Sequence, residues 1–106
     1  MLPYVASLSG EWDIANHEQL AERLSEAVAH PDVIIDLTEV SYLDSTALRE
    51  VVTFVKRRAG MPDAVFVVPP ESRIRLIWDV VRFNDVLKTV ATIADAHSAL
   101  VAASSN

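Results

Sequence analysis

A five-residue stretch with four apolar side chains, Val33-Ile34-Ile35-Asp36-Leu37, leads through a short segment into Asp44-Ser45-Thr46 and then into a helical repeat. The run is too short for a helix and rich in β-branched side chains, so it reads as a strand buried on both faces. From Ala47 onward the apolar residues Leu48, Val51, Val52 and Val55 follow the spacing i, i+3, i+4, i+7, with Arg49, Glu50, Thr53, Lys56 and Arg57 on the opposite side. A buried strand feeding an amphipathic helix needs helices over its sheet, which restricts the chain to an α/β layer.

The junction carries the chemistry. The first N–H groups of a helix lack partners, and Asp44, Ser45 and Thr46 all have side chains that can accept from them. A bare helix cap is one reading of these residues. The other is that a hydroxyl here is free for modification, since a phosphate would meet unpaired N–H groups and the positive end of the helix dipole.

The rest of the chain alternates in the same way. Val5-Ala6-Ser7-Leu8-Ser9 has strand alternation and ends at Gly10, with Gly10-Glu11-Trp12-Asp13 expected as a turn. Asp13 or Asn16 is placed to cap a first helix over residues 15–29, with Leu20, Leu24, Ala27 and Val28 inward, and His30-Pro31-Asp32 stops it. Gly60 is expected at the C′ position of the second helix. Ala64-Val65-Phe66-Val67-Val68 is a further buried strand, ended by Pro69-Pro70. A third helix from Glu71 places Ile74, Ile77, Trp78 and Val81 inward and Arg73, Arg75 and Asp79 outward. Phe83-Asn84-Asp85 reads as a turn, residues 87–93 as a last strand, and Asp95 as the cap of a final helix over residues 96–102, followed by a fraying Ser104-Ser105-Asn106 tail. The expected fold is α/β: one layer of mainly parallel or mixed sheet, about four strands with about four helices.

Composition narrows the function. With 106 residues, 51% of them hydrophobic, the chain is expected to form one folded domain over residues 1–106. Nine Lys and Arg against fifteen Asp and Glu give a net charge of −6, which argues against nucleic acid as a partner. No cysteine is present, and with no signal peptide apparent a cytoplasmic setting is expected. No apolar run approaches the ~20 residues of a membrane span. His17, His30 and His97 have no metal-ligand spacing, and the two glycines, Gly10 and Gly60, build no phosphate loop or nucleophile elbow. No metal, cofactor or catalytic activity is expected. Trp78 belongs to the core stripe of the third helix, whereas Trp12, between Glu11 and Asp13, is expected to be a lid over the core or a contact residue.

With these pieces in place the chain resembles the STAS family, the sulfate-transporter and anti-sigma-factor-antagonist domains. Gly10-Glu11-Trp12-Asp13 is similar to the family's early turn, and residues 33–37 with Val40, Leu43 and Asp44-Ser45-Thr46 are similar to its central strand and phosphorylation loop. Residues 65–69 with Arg73-Ile74-Arg75-Leu76-Ile77 resemble its next strand and helix, and Val86-Leu87, Ile93, Ala94 and Ala99-Leu100 resemble its C-terminal end. The soluble bacterial anti-sigma factor antagonists are the most similar branch. The resemblance implies a protein that binds a serine-kinase anti-sigma factor, frees a sigma factor, and is switched off when the kinase phosphorylates Ser45; a metal-dependent phosphatase reverses this. Thr46 is the second choice of phosphoacceptor. Asp44 would orient the hydroxyl or the kinase's attack, and Asp44, Ser45, Thr46, Ala47, Arg49 and Trp12 would form the partner-binding surface.

Two departures stand out. Ala47 occupies a position where the family usually has Gly, adding a methyl beside the loop. The usual extra N-terminal strand is expected to be missing, leaving an open sheet edge on a monomer or weak dimer. The alternatives are a STAS subunit of a lipid-transport ABC complex, docking through the same helix face, or a stress-signalling scaffold without phosphoswitching.

Overall fold

The structure, a computed structural model, describes residues 2–104. Its elements run β1 (Tyr4–Trp12), α1 (His17–Ala27), β2 (Val33–Leu43), α2 (Ser45–Arg57), β3 (Val65–Val67), α3 (Arg75–Val80), α4 (Phe83–Val86), β4 (Lys88–Val90) and α5 (Ile93–Ser104). The strands form one sheet in the order β1-β2-β3-β4 with all three pairings parallel. The expected α/β layer is therefore present.

Alternate residues of β2 explain how the layer is covered. Val33, Ile35 and Leu37 join Leu20 and Leu24 of α1, Val51 and Phe54 of α2, and Trp78 of α3 in the main core. Ile34 points the other way, into a smaller cluster with Val65, Val67 and Ala96 of α5. All four of these β2 side chains are at most 1% exposed, as a continuous apolar run on a two-faced sheet requires. Four aromatic rings run through the main core: Phe54, Phe66, Trp78 and Phe83, with successive centroids 6.2, 5.4 and 5.0 Å apart. Trp78 Nε1 donates to Thr89 Oγ1 at 3.0 Å, so burying the indole leaves no polar atom unpaired.

The first two strands are longer than their sequence pattern suggests. β1 continues through Gly10, Glu11 and Trp12, which are strand and not a turn. Gly10 takes φ +82 inside the strand, where the register slips. β2 continues to Leu43 because it carries two irregularities: Ser7 faces Asp36 but Ser9 faces Glu39, and Gly10 faces Val40 but Glu11 faces Tyr42. Each shift puts one extra residue on β2, which breaks the alternation by which a strand is recognised.

The helices differ in their ends. α1 occupies His17–Ala27, inside the wider 15–29 span expected. Asn16 precedes it but caps no amide of the helix; its Oδ1 accepts from Asp13 N and its Nδ2 donates to Glu11 O. The third helix starts at Arg75 and not Glu71, and Val81 is 37% exposed, so it is not a core residue. Arg75, expected on the wet side, is half-buried and donates to Val68 O, Asp79 and Asn84. Residues 83–86 form a one-turn helix where a turn was expected, entered through Arg82 at φ 65. β4 is limited to three residues, and α5 starts at Ile93, with Thr92 Oγ1 accepting from Asp95 N; Thr92 is the cap and Asp95 lies in the first turn. Of the tail, Ser105 and Asn106 lie outside the described residues.

Arg58, the C-cap of α2, is 5% exposed. Its Nη1 donates to the carbonyls of Ala27, Val28 and His30, and its Nη2 to those of Pro31 and Pro62. It therefore closes the C-terminal end of α1 and ties two loops to α2. Burial pushes the guanidinium below its usual pKa, while Asp32 and Asp63 pull it back up. Gly60, at φ +87, lies one residue beyond the C′ position expected for it.

Candidate functional site

With its two extra residues β2 ends level with β1, Leu43 opposite Trp12, and Asp44 follows at the mouth of α2 in an extended conformation. Asp44 Oδ1 accepts from Ala47 N at 2.9 Å, capping the helix. Its Oδ2 accepts from Ile14 N at 3.0 Å, and its own N donates to Trp12 O at 3.1 Å. Both carboxylate oxygens are thus engaged by backbone amides of two different segments. Asp44 fastens the segment after β1 to the start of α2; it does not hydrogen-bond the Ser45 hydroxyl. Asp44→Ala should lower stability by about 1–2 kcal/mol, the usual cost of a lost cap plus a weakened loop contact. Denaturant melts of the two proteins measure it.

Ser45 and Thr46 are the first two residues of this 13-residue helix. Of the three side chains able to cap, only Asp44 does so, and the side chains and amides of Ser45 and Thr46 have no hydrogen-bond partner among the described residues. Ser45 is exposed and Thr46 half-buried. The Ser45 hydroxyl therefore faces solvent beside two free N–H groups, where added negative charge is favoured by the dipole. Among the described residues that line the groove beside it there is no His, Lys or Cys.

The other residues expected at the site separate. Arg49, one turn after Ser45, is exposed on the same face of α2. Ala47 is 0% exposed, so its methyl packs inward and it cannot be a contact residue as expected. Trp12 is half-buried, packs on the main core, and meets the junction through its carbonyl, which favours the lid role. His17 Nδ1 lies 2.9 Å from Glu50 and His30 stacks on Tyr4, so these two histidines serve packing between segments. Among the described residues no His, Cys, Asp or Glu cluster could hold a metal, and no helix is long and apolar enough to cross a membrane.

Beside Ser45 lies a groove of about 640 Å³ lined by Tyr42, Leu48, Ile74, Leu76, Ile77 and Val80. Leu76 is 76% exposed, Val80 64% and Tyr42 50%. The groove is not evident from the inward stripe of the third helix, Ile74, Ile77 and Trp78. Leu76 and Val80, an apolar pair at i, i+4 off that stripe, were the available signal.

The architecture matches solved proteins. An anti-sigma factor antagonist from Mycobacterium paratuberculosis superposes with a TM-score of 0.81 at 24% identity, covering 90% of this chain and 82% of that one. The Bacillus cell fate determinant SpoIIAA in its phosphorylated form superposes at 0.62 with 20% identity, covering 91% and 88%. The unphosphorylated form of the anti-sigma factor antagonist SpoIIAA gives 0.66 at 20% identity, covering 92% and 86%. At these identities the likeness is one of fold. No curated protein matches by sequence. A family model described as the STAS domain matches residues 3–96, and the chain belongs to that family.

Proposed function

We propose that this protein is an anti-sigma factor antagonist: it binds a serine-kinase anti-sigma factor through the exposed face at the start of α2, and so frees a sigma factor. The kinase phosphorylates Ser45, which ends binding, and a metal-dependent phosphatase restores the unmodified form. It acts in the cytoplasm by binding protein and carries out no chemistry of its own. The observation that carries this reading is the Ser45 hydroxyl, exposed at the first position of α2 beside two free amides. The fold shared with anti-sigma factor antagonists supports it.

The phosphate would add about 1.5–2 negative charges where the fold tolerates an anion. Its cost therefore falls on the interface, which must exclude a hydrated dianion. Each ~1.4 kcal/mol of that penalty weakens binding tenfold. Calorimetry against the cognate kinase should find Ser45→Ala binding like wild type and resisting phosphorylation. Ser45→Asp and the phosphorylated protein should fold normally and bind at least about a hundredfold more weakly, from two such steps. Equal affinity across all four forms would reduce the junction to a helix cap.

A further inference from the structure

The groove beside Ser45 has walls of a particular kind. One is the start of α2, with Leu48; the other is α3, with Ile74, Ile77 and the exposed Leu76 and Val80; the floor is the end of β2. A side-chain groove between two helices accepts a third helix, whose backbone is satisfied internally. Beyond Asp36 the β3 side of β2 is unpaired, but two register shifts interrupt that stretch and make it a poor template for an added strand.

Charge narrows the choice further. Arg75 pairs with Asp79 at 3.0 Å and Arg82 with Asp85 at 3.2 Å, so the other arginines of the α3–α4 region are matched by carboxylates. Arg73, on the groove, and Arg49, one turn along α2 from Ser45, form no ion pair among the described residues. In a chain of net charge −6, Arg73 on the groove and Arg49 on the adjoining face of α2 are thus unmatched, while the carboxylate that lines the groove, Asp44, is held by the amides of Ala47 and Ile14.

We propose that the groove between α2 and α3 receives an amphipathic helix of the protein partner, with an apolar stripe facing Leu76, Val80 and Tyr42 and carboxylates at its ends facing Arg73 and Arg49. This rests on the reading that the Ser45 face is the docking surface, and it names what docks there. It also gives phosphorylation a second way to act. A phosphate on Ser45 competes with the partner's carboxylates for the same two arginines and repels them.

The test uses the full chain and synthetic peptides, without kinase or phosphate. One peptide carries Leu at i, i+3, i+4 and i+7 with Glu at both ends; a second replaces each Glu by Lys; a third is the Glu peptide with a central Pro, which cannot stay helical. The expected result is that the Glu peptide binds at least about tenfold more tightly than either of the others, the ratio given by ~1.4 kcal/mol. Leu76→Asp should abolish binding with an unchanged melting curve, since this side chain is 76% exposed. Arg73→Glu should reverse the preference between Glu and Lys peptides. Equal binding of the Glu and Lys peptides overturns the proposal, and so does equal binding of the Pro peptide, which assigns the groove to an extended segment. A dimer by sedimentation that Leu76→Asp dissolves also overturns it and assigns the groove to a second copy. A Ser45 that is never phosphorylated would defeat the switch and leave the peptide result standing.

Discussion

Ile35→Asp should leave no cooperative unfolding transition in either heat or denaturant. Ile35 is 0% exposed on the interior strand β2, opposite Phe66, and faces the main core under α1 and α2. A carboxylate there has no cation or donor to meet, and burying it costs several kcal/mol or forces it to take up a proton. Single domains are stable by only about 5–15 kcal/mol, so most of that margin goes in one substitution, with the lost packing of Ile35 added to it. The control is the same charge one strand away. Val5 lies opposite Ile34 but is 41% exposed, so Val5→Asp should stay within about 1 kcal/mol of wild type. A normal melt for Ile35→Asp would remove β2 from the centre of the sheet.

The second large effect is expected at Arg58. Replacing it by Ala strips a donor from five carbonyls, those of Ala27 (which keeps His30 N), Val28, His30, Pro31 and Pro62, and opens a void against Phe54, whose ring the guanidinium overlies at 5.9 Å. An unsatisfied buried acceptor costs about 1–3 kcal/mol, and water entering the void recovers part of it, so a net loss of about 3–5 kcal/mol is expected. For a domain of this size that lowers the melting temperature by more than ~10 °C. Arg58→Lys should recover less than half. A lysine has three donors on one nitrogen and cannot span acceptors that the planar guanidinium reaches on two sides. Equilibrium unfolding of the three proteins measures this, and a loss under ~1 kcal/mol for Arg58→Ala would make the carbonyl contacts incidental.

These two residues also mark how much could be read in advance. Residues 33–37 announce their strand because each side chain there is apolar or paired locally, as Asp36 is with Thr38. The extension to Leu43 is hidden because Thr38-Glu39-Val40-Ser41-Tyr42-Leu43 lacks a period of two, and the cause is the pair of register shifts that feed extra residues into β2. Gly10 misled for a related reason. A left-handed glycine is the sign of a turn, but here it accommodates a slip within a continuing strand. At the site, local rules of helix capping mark Asp44, Ser45 and Thr46 together, and only the resemblance to the STAS family singles out Ser45. The second bond of Asp44, to Ile14 N, joins residues 30 apart in sequence, and no local rule contains it. The inward turn of Ala47 was legible in principle, since Leu48 and Val51 define the buried face and Ala47 lies beside them on the helix. Arg58 was not, because nothing in its neighbourhood of the sequence distinguishes a buried guanidinium from a solvated one.

One contact at the border of the sheet bears on how the molecule behaves at high concentration. Tyr4 N donates to Asp32 O, and in a parallel ladder alternate residues bond the neighbouring strand, so Ser7 turns its backbone outward from β1. There Arg23 Nη2 reaches from α1 and donates to Ser7 O at 3.0 Å. A nine-residue strand with one bare side is a template for another chain to add to, and a long cationic side chain laid across it is among the devices that discourage this. Arg23 is therefore placed to hinder the lateral addition of another chain at this edge. Arg23→Ala should accordingly raise self-association at high protein concentration, read by sedimentation, while leaving the thermal melt little changed.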